Sequence, residues 1–148
     1  MPSMDTFQQG MTSGILTQFV VQGRRDETIL GHVIAYGADL NSGYAYIGGV
    51  MDPRSVRTGF GIEAFEVFVD YLFATYALRK IYLEVPEYNM EQFSNGYRSI
   101  LREEARLKDH SIYDSILWDR ITLALYREDY RSDARVNRRR RSRLLNGS

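Results

Sequence analysis

Residues 61–77 constrain this chain more than any other stretch, because they are apolar around almost a whole helical circumference. Glu63, Glu66 and Asp70 fall at i, i+3 and i+7, a single narrow polar stripe. A helix of that kind must lie against a sheet over most of its girth. The preceding runs supply one: Ile15–Gln22, Ile29–Asp39 and Tyr44–Met51 are rich in β-branched and aromatic residues, and polar turn clusters separate them. An antiparallel meander is predicted. Gly48-Gly49 inside the third run predicts a bulge, or a place where another backbone or a ligand comes close.

Beyond the helix, residues 80–85 alternate Ile81, Leu83 and Val85 against Tyr82 and Glu84, the pattern of a strand. Residues 89–100 are predicted helical, with Gly96 a weak point. Residues 104–107 and 118–126 read as two further strands, joined across 109–117 with turn chemistry at Asp114-Ser115. Residues 2–12 carry Phe7 and Met11 at i,i+4, which predicts a short helix. The class is α+β.

Several chemistries are excluded by what is missing. The 148 residues include no cysteine, so a thiol nucleophile, thiolate zinc and disulfides are out, and a chain of this length makes one domain. His32 and His110 stand 78 positions apart without a ligand-spaced partner, so no metal is expected. No Gly-x-Ser-x-Gly marks a hydrolase. The longest apolar stretch is broken by three acids and residues 1–10 lack a signal-peptide pattern, so a cytoplasmic protein without membrane contact is expected.

The balance of 19 basic and 19 acidic residues hides two unlike segments. Residues 1–130 hold 12 basic and 18 acidic residues, net −6. Residues 131–148 hold seven arginines and Asp133, net +6, with little to bury, and are predicted to be a disordered tail. An acidic body suits a cationic acceptor. The tail has three expected roles: contact with a polyanion such as RNA, competition with the acceptor for the body, or an inert solvated end.

The junction between third strand and helix carries the most chemistry. Pro53 ends the strand, Gly59 and Gly61 let the backbone approach a ligand, and the unpaired amides of a helix start favour phosphate, with Arg57 adding charge. The pattern matches neither the Walker loop nor the three-glycine dinucleotide fingerprint.

Three pieces, in order, resemble the GNAT superfamily of acyl-CoA-dependent N-acetyltransferases, particularly its RimJ/RimL-like branch. The first runs from Ile47-Gly48-Gly49-Val50-Met51-Asp52-Pro53 through Val56, Arg57, Thr58, Gly59, Phe60 and Gly61 to Glu63-Ala64, and is similar to the family's strand, pyrophosphate loop and helix. The second, Ile81-Tyr82-Leu83-Glu84-Val85-Pro86-Glu87-Tyr88-Asn89, resembles the next strand and the Asn that opens the fourth helix. The third, Glu104-Ala105-Arg106-Leu107-Lys108-Asp109-His110 with Leu117-Trp118-Asp119, is similar to the ending E-G-x-L-R-x-H … Y-x-D. The likeness covers residues 2–130.

The resemblance implies a mostly antiparallel, splayed sheet with flanking helices, starting after the family's first strand and helix. It implies acetyl-CoA as co-substrate, its pantetheine against Val50 and Met51, its pyrophosphate on Val56, Arg57, Thr58, Gly59, Phe60 and Gly61, and Asn89 as a further cofactor contact. Val56 stands where the family has Gln or Arg. Gly96 stands where its general-acid Tyr is common, which leaves the adjacent Tyr97 as the acid candidate. Glu84, on the strand expected to line the cleft, is the base candidate. The implied reaction is acetyl transfer to a primary amine: a polyamine, a small amine or a protein N-terminus. A homodimer is among the expected partners, and the alternatives are a catalytically silent acyl-CoA-binding or oligomerisation module and a polyanion-binding protein led by its tail.

Overall fold

The computed structural model describes residues 14–54, 60–93 and 97–147. They form two compact units that divide between Ala77 and Leu78. The helix expected at residues 2–12 lies outside the described residues.

In the first unit β1 (Ile15–Gln22), β2 (Ile29–Asp39) and β3 (Tyr44–Met51) form the antiparallel meander, followed by helix α1 (Phe60–Thr75). The register sets Phe19 beside Val33 and Gly49, and Thr17 beside Ala35 and Ile47. Phe19 meets Phe68 edge-on at 5.3 Å and Tyr71 at 4.6 Å, which fixes the face of the meander that α1 covers. Phe68, Val69, Leu72 and Phe73 of α1 are buried. Glu66, expected in the polar stripe, is buried as well, so only Glu63 and Asp70 keep that stripe in partial contact with water.

Gly48 and Gly49 stay in register opposite Ile34 and Val33, so they form no bulge. The irregularity falls instead between Tyr36 and Asp39, where Gly37 takes φ +56° beneath Tyr46. The doublet serves the other role: a Cβ on Gly49 would lie 2.9 Å from the His32 carbonyl oxygen.

In the second unit β4 (Lys80–Pro86) pairs antiparallel with β6 (Ile116–Tyr126), and β6 with β5 (Leu101–Tyr113). Ile81, Leu83 and Val85 sit opposite Leu125, Leu123 and Ile121, all buried. Residues 89–100 differ from the expected α-helix. The described part is two tighter 3₁₀ turns, Glu87–Phe93 and Tyr97–Ser99. The last strands run much further than predicted, to a two-residue turn at Asp114 (φ +52°) and Ser115 (φ +60°), the geometry of a primed hairpin turn.

The described part of the arginine-rich tail is helical, where a disordered segment was expected. Helix α2 (Arg127–Ser132) and helix α3 (Ala134–Asn146) end the described chain. Asp133 caps α3 by accepting from the Arg135 and Val136 amides at 2.9 and 3.0 Å. Tyr130 and Val136 are fully buried, and Arg140 stacks over the Tyr130 ring at 5.7 Å. Two anchors, one cap and the apolar stems of arginine suffice where a periodic apolar face is absent. Among the described residues no helix is long and apolar enough to cross a membrane.

Candidate functional site

The end of β3 is a self-contained turn. The Asp52 amide donates to the Leu30 carbonyl at 2.6 Å, continuing the ladder one step, and Pro53 then breaks it. The Asp52 carboxylate accepts from the Arg54 amide at 2.9 Å and from its guanidinium at 2.7 Å. The hydrogen-bonded Arg54 guanidinium holds the Asp52 carboxyl well below the usual range, down to about 2.

Val56, Arg57, Thr58 and Gly59 lie outside the described residues, and Phe60 is described only as the first residue of α1. Gly61, in the first turn of α1, sits beside β3: a Cβ there would meet Met51 Cγ at 3.9 Å. Gly48, Gly49 and Val50 are exposed, Val50 at 64%. Of the cofactor candidates, Val50, Met51 and Gly61 are thus brought to one strand-to-helix junction, with little side chain over the β3 backbone.

The remaining candidates belong to the second unit. Glu84 sits opposite Thr122 on the face of β4 away from Ile81, Leu83 and Val85. It is exposed and makes no hydrogen bond or ion pair with the described residues, so its lone pairs are open to an incoming proton. Asn89 is exposed within the turn Glu87–Phe93 and opens no α-helix. Tyr97 is only 4% exposed, and its hydroxyl accepts from the Arg139 guanidinium at 3.5 Å. That environment suits a packing residue.

Two carboxylates that sequence reading treated only as part of a strand or a motif turn out to organise this unit. Glu104 accepts from Lys80 Nζ at 2.9 Å, from the Tyr82 hydroxyl at 3.0 Å and from the Tyr126 hydroxyl. The Tyr126 hydroxyl, then Lys80 and Tyr82, hold the Glu104 carboxyl below its ordinary value. The Lys80 ammonium is correspondingly raised, first by its hydrogen bond to Tyr82 and then by Glu104. Glu104 is therefore committed, in contrast to Glu84. Asp119 accepts from Arg106 at 2.9 Å and from the Asp109 amide at 3.0 Å. It thereby pins the irregularity in β5 where Asp109 takes φ +51°. The one signal available was alternation: Lys80 and Tyr82 occupy the positions that Ile81 and Leu83 leave for the open face.

No family model matches the chain, and no curated protein matches it. Solved structures do. Spermidine/spermine N-acetyltransferase SpeG from Vibrio cholerae, in complex with manganese ions, matches at TM-score 0.73 and 20% identity over 88% of this chain and 80% of that one. A chimera of that enzyme with hSSAT matches at TM-score 0.73 and 19% identity, over 89% and 81% of the two chains. An acetyltransferase of the GNAT family from Bacillus anthracis matches at TM-score 0.64 and 19% identity, over 84% and 72%. At these identities the likeness is one of fold: the chain has the α+β architecture of GNAT acetyltransferases.

Proposed function

We propose that this chain is a GNAT N-acyltransferase that moves an acetyl group from acetyl-CoA to a primary amine. The observation that carries the reading is the match in fold to solved acetyltransferases across 88% of the chain. Its support is local: exposed Gly48, Gly49 and Val50 lead, through the Asp52–Arg54 turn, to the start of α1 beside Met51. In this reading the β3 backbone at Val50 and Met51 pairs with the pantetheine arm. Residues 56–61 take the pyrophosphate on their amides, aided by Arg57.

The amine nitrogen attacks the thioester carbonyl, the C–N bond forms, and the C–S bond breaks with release of CoA. Glu84 accepts the proton that the ammonium must lose, its pairs being open in the way those of Glu104 are not. The departing thiolate takes a proton from Tyr97 or from water. Asn89 is a further cofactor contact. A polyamine is the first acceptor to try, because residues 1–130 carry net −6 and the matched Vibrio cholerae enzymes are named for spermidine.

A silent acyl-CoA-binding module is the second reading, favoured by Gly96 and by the burial of Tyr97. Calorimetry with acetyl-CoA, followed by thiol release over spermidine, lysine and a peptide with a free N-terminus, decides between them. Binding with release supports the enzyme, binding without release the silent module, and no binding overturns both. Glu84→Gln is expected to lower turnover about 100-fold or more while sparing acetyl-CoA affinity. Tyr97→Phe with an unchanged rate assigns the acid role to water.

A further inference from the structure

Helix α3 faces two ways. Its inner side is held: Val136 is buried, Arg135 donates to Ser99 Oγ at 2.6 Å and to Asp133 at 3.4 Å, Arg139 reaches Tyr97, and Arg140 covers Tyr130. Its outer side is different. Arg138 and Arg141, with Arg131 from α2, are exposed, and their guanidinium groups make no hydrogen bond or ion pair with the described residues. Arg138 and Arg141 line an open hollow of about 500 Å³ with Ser132, Ala134 and Asn137.

Six arginines and no acidic residue occupy the thirteen residues of α3. Like charges gathered on a docked helix repel one another unless an anion lies between them. Of the nearby carboxylates, Asp133 is engaged at the cap and with Arg135, and Asp129 with Arg102 at 2.7 Å, while Glu128 on α2 points no bond at any described arginine. Arg138 and Arg141 are thus carried by an anchored helix without an acidic residue of its own, and a planar guanidinium fork matches a phosphate in bidentate fashion.

We propose that the outer face of α2 and α3 is a docking surface for single-stranded RNA, bound through its phosphates without regard to sequence. A flexible chain of regularly spaced phosphates can follow Arg131, Arg138 and Arg141, which need not be collinear. A bilayer surface fits less well. Such a helix would need a continuous apolar face, and here the exposed apolar residues are Leu144 and Leu145, at 73% and 77%, confined to one end. The surface does not depend on the acetyl-transfer reading.

The test is fluorescence anisotropy of the full chain with a labelled RNA of mixed sequence. Three phosphate contacts predict a salt slope of about −2, hence roughly 20-fold weaker binding at 200 mM than at 50 mM salt. The double variant Arg138→Gln, Arg141→Gln should cut the slope to below about −1 and lower affinity at least about tenfold at low salt. Arg24→Gln with Arg25→Gln removes the same charge from the exposed β1–β2 turn and should change binding little. Circular dichroism confirms that each variant keeps its helices. No anisotropy change at low salt overturns the proposal, as does equal loss in the two double variants. Capture on phosphatidylserine vesicles without an RNA signal assigns the face to lipid instead. Displacement of RNA by poly-glutamate at matched charge as effective as by unlabelled RNA assigns it to an acidic protein.

Discussion

Within the first unit the contacts that tie element to element are aromatic: Phe19 against Phe68 and Tyr71, and Tyr36 stacked on Tyr46 at 5.7 Å. The second adds to its buried apolar pairs and the stacked Tyr88 and Tyr113 two carboxylates that each gather several donors, Glu104 across three strands and Asp119 across a bulge. The first kind of contact depends on area withdrawn from water and is indifferent to a proton. The second is stabilising only while the carboxylate is charged. Two halves of similar strand content should therefore both suffer from core truncation, while acid should weaken the second more than the first.

The largest effect is expected from Phe68→Ala, which removes a buried ring from between α1 and β1. Chemical denaturation should show a loss of about 3–5 kcal/mol, the same at pH 5 and pH 7. A cost that varied with pH would break the contrast.

Glu104→Gln should cost less, about 1–2 kcal/mol near neutral pH, because the site is partly open to water. The Glu104 carboxyl is lowered in the folded chain, so its contribution is complete above the ordinary carboxylate range. It fades as pH falls through the lowered value. Parent and variant should thus converge in stability on acidification. Amide exchange followed in the same titration should rise in β4, β5 and β6 before it rises in β1, β2 and β3.

Asp119→Asn comes next and stays local. The neutral amide still accepts from the Asp109 amide but loses its ion pair with Arg106. Faster exchange at residues 107–111, with global unfolding little changed, is the expected signature. Arg54→Ala should have the smallest effect, because the Arg54 side chain is 86% exposed and the Asp52 carboxylate keeps its bond from the residue 54 amide. A shift in melting temperature clearly outside error would mean that the turn after β3 bears more than its own shape.

Where the sequence alternates, it was legible. The bounds of β1, β2 and β3 follow from β-branched and aromatic runs between polar turns, and those of β4 from Ile81, Leu83 and Val85. β5 offered no such pattern: Arg102, Glu103, Glu104, Arg106, Lys108, Asp109 and His110 are all exposed, and the strand exists because β6 pairs with it. The tail misled for a related reason. Its anchors, Tyr130 and Val136, lie on separate helices with the Asp133 cap between them, so no period could emerge.

The site divides in the same way. Pro53 and the glycines mark the junction in one dimension, and the alternation about Glu84 marks its face. The donors that commit Glu104 come from residues 80, 82 and 126, and only register brings them together.

The hairpin turn at Asp114 and Ser115 has a consequence for the speed of folding. Both residues take positive φ without the glycine that makes this cheap, each at a cost on the order of 1 kcal/mol. The pairing of β4 with β6 encloses residues 87–115, so zipping β5 to β6 first shortens the entropic distance that β4 must bridge. The turn is then a gate in time as well as a bend in space. Asp114→Asn with Ser115→Gly would open it sooner, quickening the refolding of the second unit more than it slows unfolding.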